Sequence, residues 1–293
     1  MAERTTQGEG TPVSERKGVM SRLEDLRELD RAVEPVQKAA RWLRPGRVRD
    51  ALHGVWLGHP VHPTLVQAVV GSWLSAGVLD LWPDGGRSAR RLVGFGLLAS
   101  APSVLAGTVD WSEQHEQQMR VGLVHALINL SAVGLYGASL VTGGEKPGRA
   151  LRYAGLATVG VGALIGGHLS FRQAGGVNHA EAVPHLVEPG WHDLAAVEEL
   201  PQGRPERRLL GEVPLLVVRE GTGARVLADR CSHLSGPLSD GEIEDGCVEC
   251  PWHGSRFRLS DGAVVRGPAT APQPVFETRV EDGRLLVRLP GAG

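Results

Sequence analysis

Cysteine and sustained positive charge are both scarce in this sequence. Three cysteines among 293 residues do not require an oxidising compartment. The formal net charge is −2 and no basic block carries interleaved aromatic residues, which argues against a nucleic-acid-binding protein. The first 50 residues lack the apolar core of a secretory signal peptide, so we expect none to be removed. The length has room for about two domains.

Charge is also nearly absent from the middle of the chain. Four stretches rich in Gly, Ala, Leu and Val, each 18 to 22 residues long, lie at 64–82, 92–109, 121–142 and 153–171. A helix needs roughly 20 residues to cross the hydrocarbon core of a membrane. A soluble bundle with an all-apolar interior is the alternative, but soluble helices normally show a polar face. We therefore predict a four-span membrane domain at 51–171. Small residues at four-residue spacing suit close helix contact in lipid: Gly162 with Gly166, and Gly134 with Ala138.

Residues 1–50 form a polar, amphipathic N-terminal segment. Apolar residues at helical spacing predict a helix along the membrane surface or against the C-terminal domain; they are Leu23, Leu26, Val33, Ala40 and Leu43. A solvated helix with no binding role fits the same spacing.

Basic residues near the apolar stretches bear on membrane orientation. An acid-free run before the first stretch favours a cytoplasmic N-terminus; it consists of Lys38, Arg41, Arg44, Arg47 and Arg49. Basic residues in or near the first and third loops favour the opposite orientation; they are Arg87, Arg90, Arg91, Lys146, Arg149 and Arg152. We predict a multi-pass protein of the cell membrane with both termini, and hence the C-terminal domain, in the cytoplasm.

The composition of the sequence changes after a linker at 172–189. Short β-branched runs separated by Gly, Pro and Asp-Gly turns predict an antiparallel β domain at 190–290. The predicted fold class is therefore a transmembrane four-helix bundle followed by an all-β antiparallel domain.

Two loops of this β domain each contain one cysteine and one histidine. Cys231 and His233 form Cys-x-His, and Cys250 and His253 form Cys-x-x-His. Two thiolates and two imidazoles suit either a tetrahedral zinc site or a two-iron cluster with the cysteines on one iron and the histidines on the other. Zinc modules usually supply Cys-x-x-Cys with a separate histidine pair, so the spacing favours the two-iron cluster.

This pattern, continued by Gly254, resembles the Rieske [2Fe–2S] domain over roughly residues 190–290. The resemblance implies one cluster per chain. It further implies a buried iron held by Cys231 and Cys250, and an outer iron held by His233 and His253 that lines the route of the electron.

Departures from the family indicate which branch the domain is similar to. Gly236 and Trp252 occupy the positions of a disulfide found in quinol-oxidising Rieske proteins, and Phe257 occupies that of a hydrogen-bonding tyrosine. Ser255 keeps one possible donor to a bridging sulfur. Fewer donors imply a potential in the lower part of the Rieske range of about −150 to +300 mV, as in ferredoxin-like members. Cys247 is expected to be a small apolar strand residue rather than half of a redox dithiol.

A second group of polar residues is predicted at one end of the membrane domain. Up-and-down connectivity gathers there His59, His62, Asp110, His115, His125 and His168. Haem b ligation by His62 with His125 or His168, a quinone pocket and a metal site are the functional interpretations. Interfacial histidines bonded to loop carbonyls are the structural one.

The phrase GHPVHPTLV followed by four apolar stretches resembles an uncharacterised bacterial family of four-helix membrane domains with a His-Pro-x-His-Pro entry. The likeness covers about 51–171 and implies no established activity. No role is predicted for His53, His179, His185 and His192, which stand singly in polar segments.

These features predict a membrane-anchored Rieske iron–sulfur protein that carries single electrons between a redox partner protein and a haem- or quinone-type partner in the membrane. Nothing in the sequence follows the β domain that could be the mononuclear-iron domain of an oxygenase, so we expect an electron-transfer component rather than a stand-alone enzyme. The alternatives are a subunit of a quinone-linked oxidoreductase and a redox sensor that signals through the membrane domain.

Overall fold

A computed structural model describes residues 19–42 and 45–290, so Leu43, Arg44 and the first 18 residues of the predicted N-terminal segment lie outside the described residues. The helices are α1 (Val19–Asp25), α2 (Asp30–Ala40), α3 (Arg47–His53), α4 (His62–Leu79), α5 (Gly86–Trp111), α6 (Glu116–Val141), α7 (Glu145–Gly167) and α8 (Val183–Leu186). A 3-10 turn at Arg27–Leu29 separates α1 from α2, and a π-helical turn at His168–Arg172 continues α7.

Helices α4 to α7 form an up-and-down bundle with short connections, in which α4 packs on α5 and α7, and α6 packs on the same two helices. In the part of the chain that the structure describes, three helices are long and apolar enough to cross a membrane: Gly86–Trp111, Glu116–Val141 and Glu145–Arg172. Helix α4 is shorter, at 18 residues, and opens on the polar turn His62, Pro63 and Thr64. A helical region with three long apolar helices is confirmed, whereas the count of four spans is not.

Two of these helices begin six to eight residues before the predicted stretches. Helix α5 starts at Gly86 instead of 92, and α7 starts at Glu145 instead of 153. Their first turns carry charged residues that form helix readily but lie outside any apolar window. Arginines of these turns bond loop and helix-end groups, as when Arg90 donates to the carbonyl of Leu140.

The polarity of the bundle is inverted relative to a soluble helical protein. Its outer surface carries large apolar side chains, such as Leu98 at 77 % exposed and Phe171 at 92 %. Its interior contains buried serines. Glycines there leave space for aromatic rings, since a Cβ on Gly96 would lie 2.2 Å from Nε1 of Trp73. Aromatic stacking of Trp73 on Tyr136, with centroids 4.2 Å apart, occupies the centre.

One of the two predicted small-residue contacts is present. Gly162 and Gly166 approach α6 so closely that added Cβ atoms would meet Asn129 and His125 at 2.6 and 3.0 Å. The Gly134–Ala138 prediction is wrong for Gly134, because a Cβ there would have nothing within 4 Å among the described residues.

The N-terminal helices lie across one end of the bundle. Val33 of α2 is buried with Met119 and Leu123 of α6, so this part of the predicted apolar face packs on the bundle instead of on the C-terminal domain, while Leu26 stays exposed. Arg120, which is 5 % exposed, donates to both carboxylate oxygens of Asp30 at 2.6 and 2.8 Å. These contacts hold the N-terminal helices against the end of the bundle that also meets the β unit.

The β unit contains two antiparallel sheets. Their strands are β1 (His192–Ala196), β2 (Pro205–Leu210), β3 (Val213–Glu220), β4 (Gly223–Ala228), β5 (Glu242–Glu244), β6 (Cys247–Glu249), β7 (Arg256–Arg258), β8 (Val264–Arg266), β9 (Val275–Glu281) and β10 (Arg284–Arg288). The larger sheet has the order β1-β10-β9-β4-β3-β2 and the smaller one β5-β6-β7-β8. The predicted antiparallel β unit is confirmed.

Strand β3 separates two apolar cores because successive side chains point to opposite faces. Leu215 and Val217 join the core beneath β10, whereas Leu216 and Val218 join the core that contains Cys231 and Cys250. The larger sheet thereby supports the smaller sheet and the two cysteine-bearing loops.

A buried ion pair joins α4 to α7 at the end of the bundle remote from the β unit. Arg152 donates to both oxygens of Asp80 at 2.5 and 2.6 Å, and both side chains are almost fully buried. Arg149 donates to the backbone carbonyl of Asp80 at 3.2 Å. Asp80 is therefore part of the helix packing.

We predict that Asp80→Asn lowers the free energy of unfolding by about 3–5 kcal/mol, because it leaves the Arg152 charge buried and uncompensated. Denaturant titration of the protein in detergent, followed by circular dichroism, measures the change. The matched control is Asp84→Asn, which removes an exposed carboxylate from the next loop and should change the stability little. Equal effects of the two substitutions would contradict the assignment.

Candidate metal centre

Two loops with the same backbone hydrogen bonds carry the four predicted side chains. The first follows β4 and the second joins β6 to β7. The N–H of Cys231 donates to Gly236 O and the N–H of Ser235 donates to Cys231 O, each at 2.8 Å. In the second loop, the N–H of Cys250 donates to Ser255 O at 2.8 Å and that of Gly254 to Cys250 O at 3.0 Å. The repetition sets the two cysteines in equivalent positions.

Each loop closes through a residue in the left-handed region, four positions after its cysteine. Gly254 has φ +72° at no steric cost, whereas Ser235 has φ +62° with a side chain. Residues after each cysteine are thereby turned so that their N–H groups face its sulfur: His233 and Leu234 for Cys231, and Trp252 and His253 for Cys250.

The two buried thiols lie against each other. The Cys231 thiol donates a hydrogen bond to the Cys250 sulfur, which together with two backbone N–H groups lowers the pKa of Cys250 to about 7. The same contact, with burial, raises the pKa of Cys231 well above its usual range. Peptide N–H groups directed at sulfur favour the thiolate, which is the form that binds a metal.

The two imidazoles lie next to each other at the outer side of the loops. The ring centroids of His233 and His253 are 5.0 Å apart and the rings are nearly perpendicular. Nδ1 of His233 is buried and has no hydrogen-bond partner within the described residues. Burial lowers the pKa of His253 to about 4, with the charges of His115 and Arg41 contributing, and lowers that of His233 well below its usual range. Both rings are therefore neutral near pH 7, as metal ligands require.

The paired sulfurs and the paired imidazoles bear on the two metal alternatives. Within the described residues, no three side chains of His, Cys, Asp or Glu converge on one metal position. A two-iron centre takes two protein ligands on each iron and so does not require three of them to meet at one metal. The orphaned Nδ1 of His233 and the paired sulfurs fit the two-iron centre.

Neighbouring residues leave room for the centre and cover it. A Cβ on Gly236 would lie 2.8 Å from the Cys250 sulfur. The hydroxyl of Ser255 accepts the N–H of Ala269 at 2.9 Å, which leaves its own proton free to be donated. Phe257 is fully buried and Cys247 bonds weakly to the carbonyl of Asp245, on its strand.

Residues 190–277 match the model of the Rieske [2Fe–2S] domain. The chain is 38 % identical over 99 residues to the anthranilate 1,2-dioxygenase ferredoxin subunit of Burkholderia cepacia, and the match covers 92 % of that protein. This chain belongs to the Rieske [2Fe–2S] domain family. The ferredoxin CarAc of Metapseudomonas resinovorans is 33 % identical over 98 residues and is also covered to 92 %.

Among solved structures, a complex of reduced oxygenase and oxidised ferredoxin in carbazole 1,9a-dioxygenase contains a chain 32 % identical to this one, with a TM-score of 0.31. That match spans 92 % of the other chain and 33 % of this one. Each of these likenesses covers about a third of the chain, at the Rieske domain. The two curated relatives support a Rieske cluster and an electron carrier of the ferredoxin type.

The helical unit touches the histidine-bearing side of the Rieske domain. Asp50 accepts the backbone N–H of Gly267 at 2.9 Å, and the ring of His115 lies 5.6 Å from Trp252 and 6.2 Å from His253. A cavity of about 140 Å³ lies between the two units; its lining includes Arg49, Asp50, Glu113, Glu249, His253 and Arg266. The outer imidazoles therefore face charged groups of the helical unit.

The predicted histidine group at the bundle end is divided among different contacts. His62 directs Nδ1 to the carbonyl of Ser103 at 2.8 Å, and His125 directs Nδ1 to that of Gly162 at 3.0 Å. The exposed His59 bonds to the carbonyl of Pro60, and His168 pairs with Glu24 at 2.6 Å. His115 alone among the five is in contact with the Rieske histidines. Each of the five thus has its own partner, although His62 and His125 are near enough for their charges to interact.

Sequence reasoning missed two histidines close to the centre. His53, 1 % exposed, bonds Asp110 at 2.8 Å, and both His53 and His179 are near enough to His233 for their charges to interact. The N–H of His179 donates to Ser232 O at 2.9 Å, one residue from each ligand candidate of the first loop. No local motif marks them, because their proximity to the centre comes from the docking of two distant parts of the chain.

We predict that Gly236→Ala reduces iron incorporation several-fold, because the added methyl group would displace the Cys250 sulfur. Iron content per folded chain, with folding checked by far-UV circular dichroism, measures the effect. Gly223→Ala is the matched control, since a Cβ there meets nothing closer than 4.0 Å. Normal iron content in the Gly236 variant would show that the site does not need the space left by the missing side chain.

Proposed function

We propose that this protein is a membrane-anchored Rieske electron carrier whose cluster is held by Cys231 and Cys250 on one iron and by His233 and His253 on the other. It takes one electron from a reduced redox partner and passes it to an oxidised one. When bound, the [2Fe–2S] cluster supplies reversible one-electron redox chemistry. The paired loops, equivalent in their hydrogen bonds, are the observation that carries this proposal.

The residues around the ligands prepare the charge and shape of the site. Four peptide N–H groups are directed at the two sulfurs and favour the thiolates. Burial keeps both imidazoles neutral, and Ser255 retains a hydroxyl proton that it can donate to a sulfur of the centre. Phe257 supplies no such donor, so we place the potential in the lower part of the Rieske range.

The membrane anchor is proposed from the inverted polarity of the bundle. Large apolar side chains cover its outside while the buried Asp80–Arg152 pair, serines and glycines lie inside. Exposed tryptophans mark both ends, with Trp42 and Trp56 towards the N-terminal helices and Trp82 after α4, as at membrane interfaces. We include α4 as a fourth span, since its 18 residues rise about 27 Å, close to the thickness of a hydrocarbon core of about 30 Å.

Four spans put both termini on one side, together with the Rieske domain. We propose the cytoplasmic side, in keeping with the basic residues that precede α4. Most arginines near the opposite loops make contacts within the bundle. Arg152 pairs with Asp80, while Arg90 and Arg149 donate to backbone carbonyls. Of these three, Arg152 alone has its charge neutralised by a carboxylate of the described residues.

The partner that we propose is a redox protein, because the relatives are named as ferredoxins and ferredoxin subunits of dioxygenases. Haem and quinone stay outside the proposal, since His62 and His125 each direct a ring nitrogen to a backbone carbonyl and His168 pairs with Glu24.

We predict that the protein purified in detergent contains about two irons and two sulfides per chain and gives the visible and electron paramagnetic resonance spectra of a cluster with mixed Cys and His ligands. Cys231→Ser and His253→Gln should abolish both. Cys247→Ser is the matched control and should leave both unchanged, because that sulfur bonds weakly to the carbonyl of Asp245 and is not part of the core that contains Cys231 and Cys250. Zinc in place of iron, or loss of the cluster in the Cys247 variant, would refute the ligand assignment.

We also predict that the full chain stays in the membrane pellet after an alkaline carbonate wash and needs detergent to be released, because its apolar outer surface would otherwise face water. Two reporters fused in turn to the same C-terminus test orientation: a fluorescent protein that matures in the cytoplasm should be active, and a phosphatase that folds outside it should not. Recovery in the wash would contradict the anchor, and the opposite reporter result would contradict the orientation alone.

A further inference from the structure

A histidine–carboxylate pair of the helical unit is buried beside the Rieske domain. His53 at the end of α3 is 1 % exposed and its Nδ1 lies 2.8 Å from the carboxylate of Asp110 on α5. An imidazole that bonds a carboxylate through one nitrogen is fixed in orientation, and the carboxylate is fixed in turn. The pair is therefore a rigid polar group from residues 57 positions apart.

The second nitrogen of His53 is left without a partner. Nε2 is buried and makes no hydrogen bond to any residue that the structure describes. Its side of the ring faces the Rieske domain, since a Cβ on Gly267 would lie 3.4 Å from Cδ2, the carbon next to Nε2. A buried polar atom without a partner costs free energy, so this nitrogen calls for a hydrogen-bonding group such as water.

Asp110 and His233 line one small cavity. Its volume is about 30 Å³. Both units contribute to its lining, which includes Asp110, Gln114, Ser232, His233 and Pro268. A cavity of this size with polar walls holds about one water molecule. A single water there would reach the carboxylate of the helical unit and the imidazole of the Rieske domain together.

We propose that Asp110, oriented by His53, is a positioning residue for His233 and accepts, through one water molecule in this cavity, the hydrogen bond donated by the ring N–H of that histidine. The inference rests on the proposed function, in which the buried and unpartnered Nδ1 of His233 is the nitrogen that holds iron. The other ring nitrogen then carries the proton, and an imidazole ligand normally donates that proton to a carboxylate, a carbonyl or water.

The contact should shift the reduction potential of the cluster in a direction that can be measured. A carboxylate that accepts the ligand's hydrogen bond makes the imidazole richer in electrons and stabilises the more positive, oxidised state. The other charged side chains at this interface already have partners: Arg49 with Glu113, and Arg266 with Glu249. Asp50 accepts the N–H of Gly267. Asp110 is thus the carboxylate that shares a cavity with His233.

The test is a spectroelectrochemical titration of the full chain in detergent, with the cluster checked by electron paramagnetic resonance. At the potential where the wild type is half reduced, Asp110→Asn should raise the ratio of reduced to oxidised protein about tenfold, which corresponds to about +59 mV for one electron. His53→Gln should move the ratio in the same direction by a smaller factor, because Asp110 keeps its charge but loses its orientation. This second variant carries the test if the first does not fold.

Two matched controls separate this contact from general effects. Asp50→Asn removes one negative charge from the same interface and keeps an acceptor for Gly267, and His179→Gln removes a nearby imidazole that is already bonded to Ala174 O. Both should change the ratio less than threefold. If Asp110→Asn shifts it no more than Asp50→Asn, the inference is overturned and the proposed function stands. If the wild type has no mixed-ligand cluster, the proposed function fails and the inference fails with it.

Discussion

The Rieske half of the molecule depends on two sulfur atoms held side by side by peptide N–H groups from separate loops. Neither loop can do this alone, because each supplies one cysteine and two donors. Their common hydrogen-bond pattern requires the left-handed residues Ser235 and Gly254, and the contact between them requires Gly236 to lack a side chain. The alternating burial of β3 serves the same end, since one of its faces completes the core that contains both cysteines.

A second constraint governs the helical half, where polarity is inverted. Apolar side chains cover the outside of this bundle, and polar groups inside it pair with one another. The bidentate contact of Arg152 with Asp80 does this at one end. At the other end, Arg120 with Asp30 and His53 with Asp110 bind the N-terminal helices to the bundle. The end that meets the Rieske domain is thus built jointly by residues that precede α4 and by residues of α5 and α6.

The sequence allowed the local features to be predicted and left the long-range ones out of reach. Cysteine and histidine spacing identifies the Rieske domain because each loop is a continuous segment. Long stretches nearly free of charge identify the apolar helices because they are a property of local composition. Helix starts at Gly86 and Glu145 were missed, since their charged first turns lack an apolar signal. The His53–Asp110 pair was missed because it forms only when α3 is laid against the end of α5. Position at one end of the bundle grouped five histidines, but each of them finds its own partner there.

The packing of the helical unit against the Rieske domain changes the surroundings of the two histidines. In a free domain the outer imidazoles face water, whose dipoles reorganise with every change of charge. Here fixed groups of the helical unit occupy part of that surface, including Asp50 on Gly267 and the ring of His115 near His253. Fixed dipoles and charges in a region of low dielectric act more strongly than mobile water and do not have to reorganise. The surroundings of the two loops therefore include residues between 50 and 115 of the helical unit. One end of the helical unit is thus part of the environment of the two ligand loops.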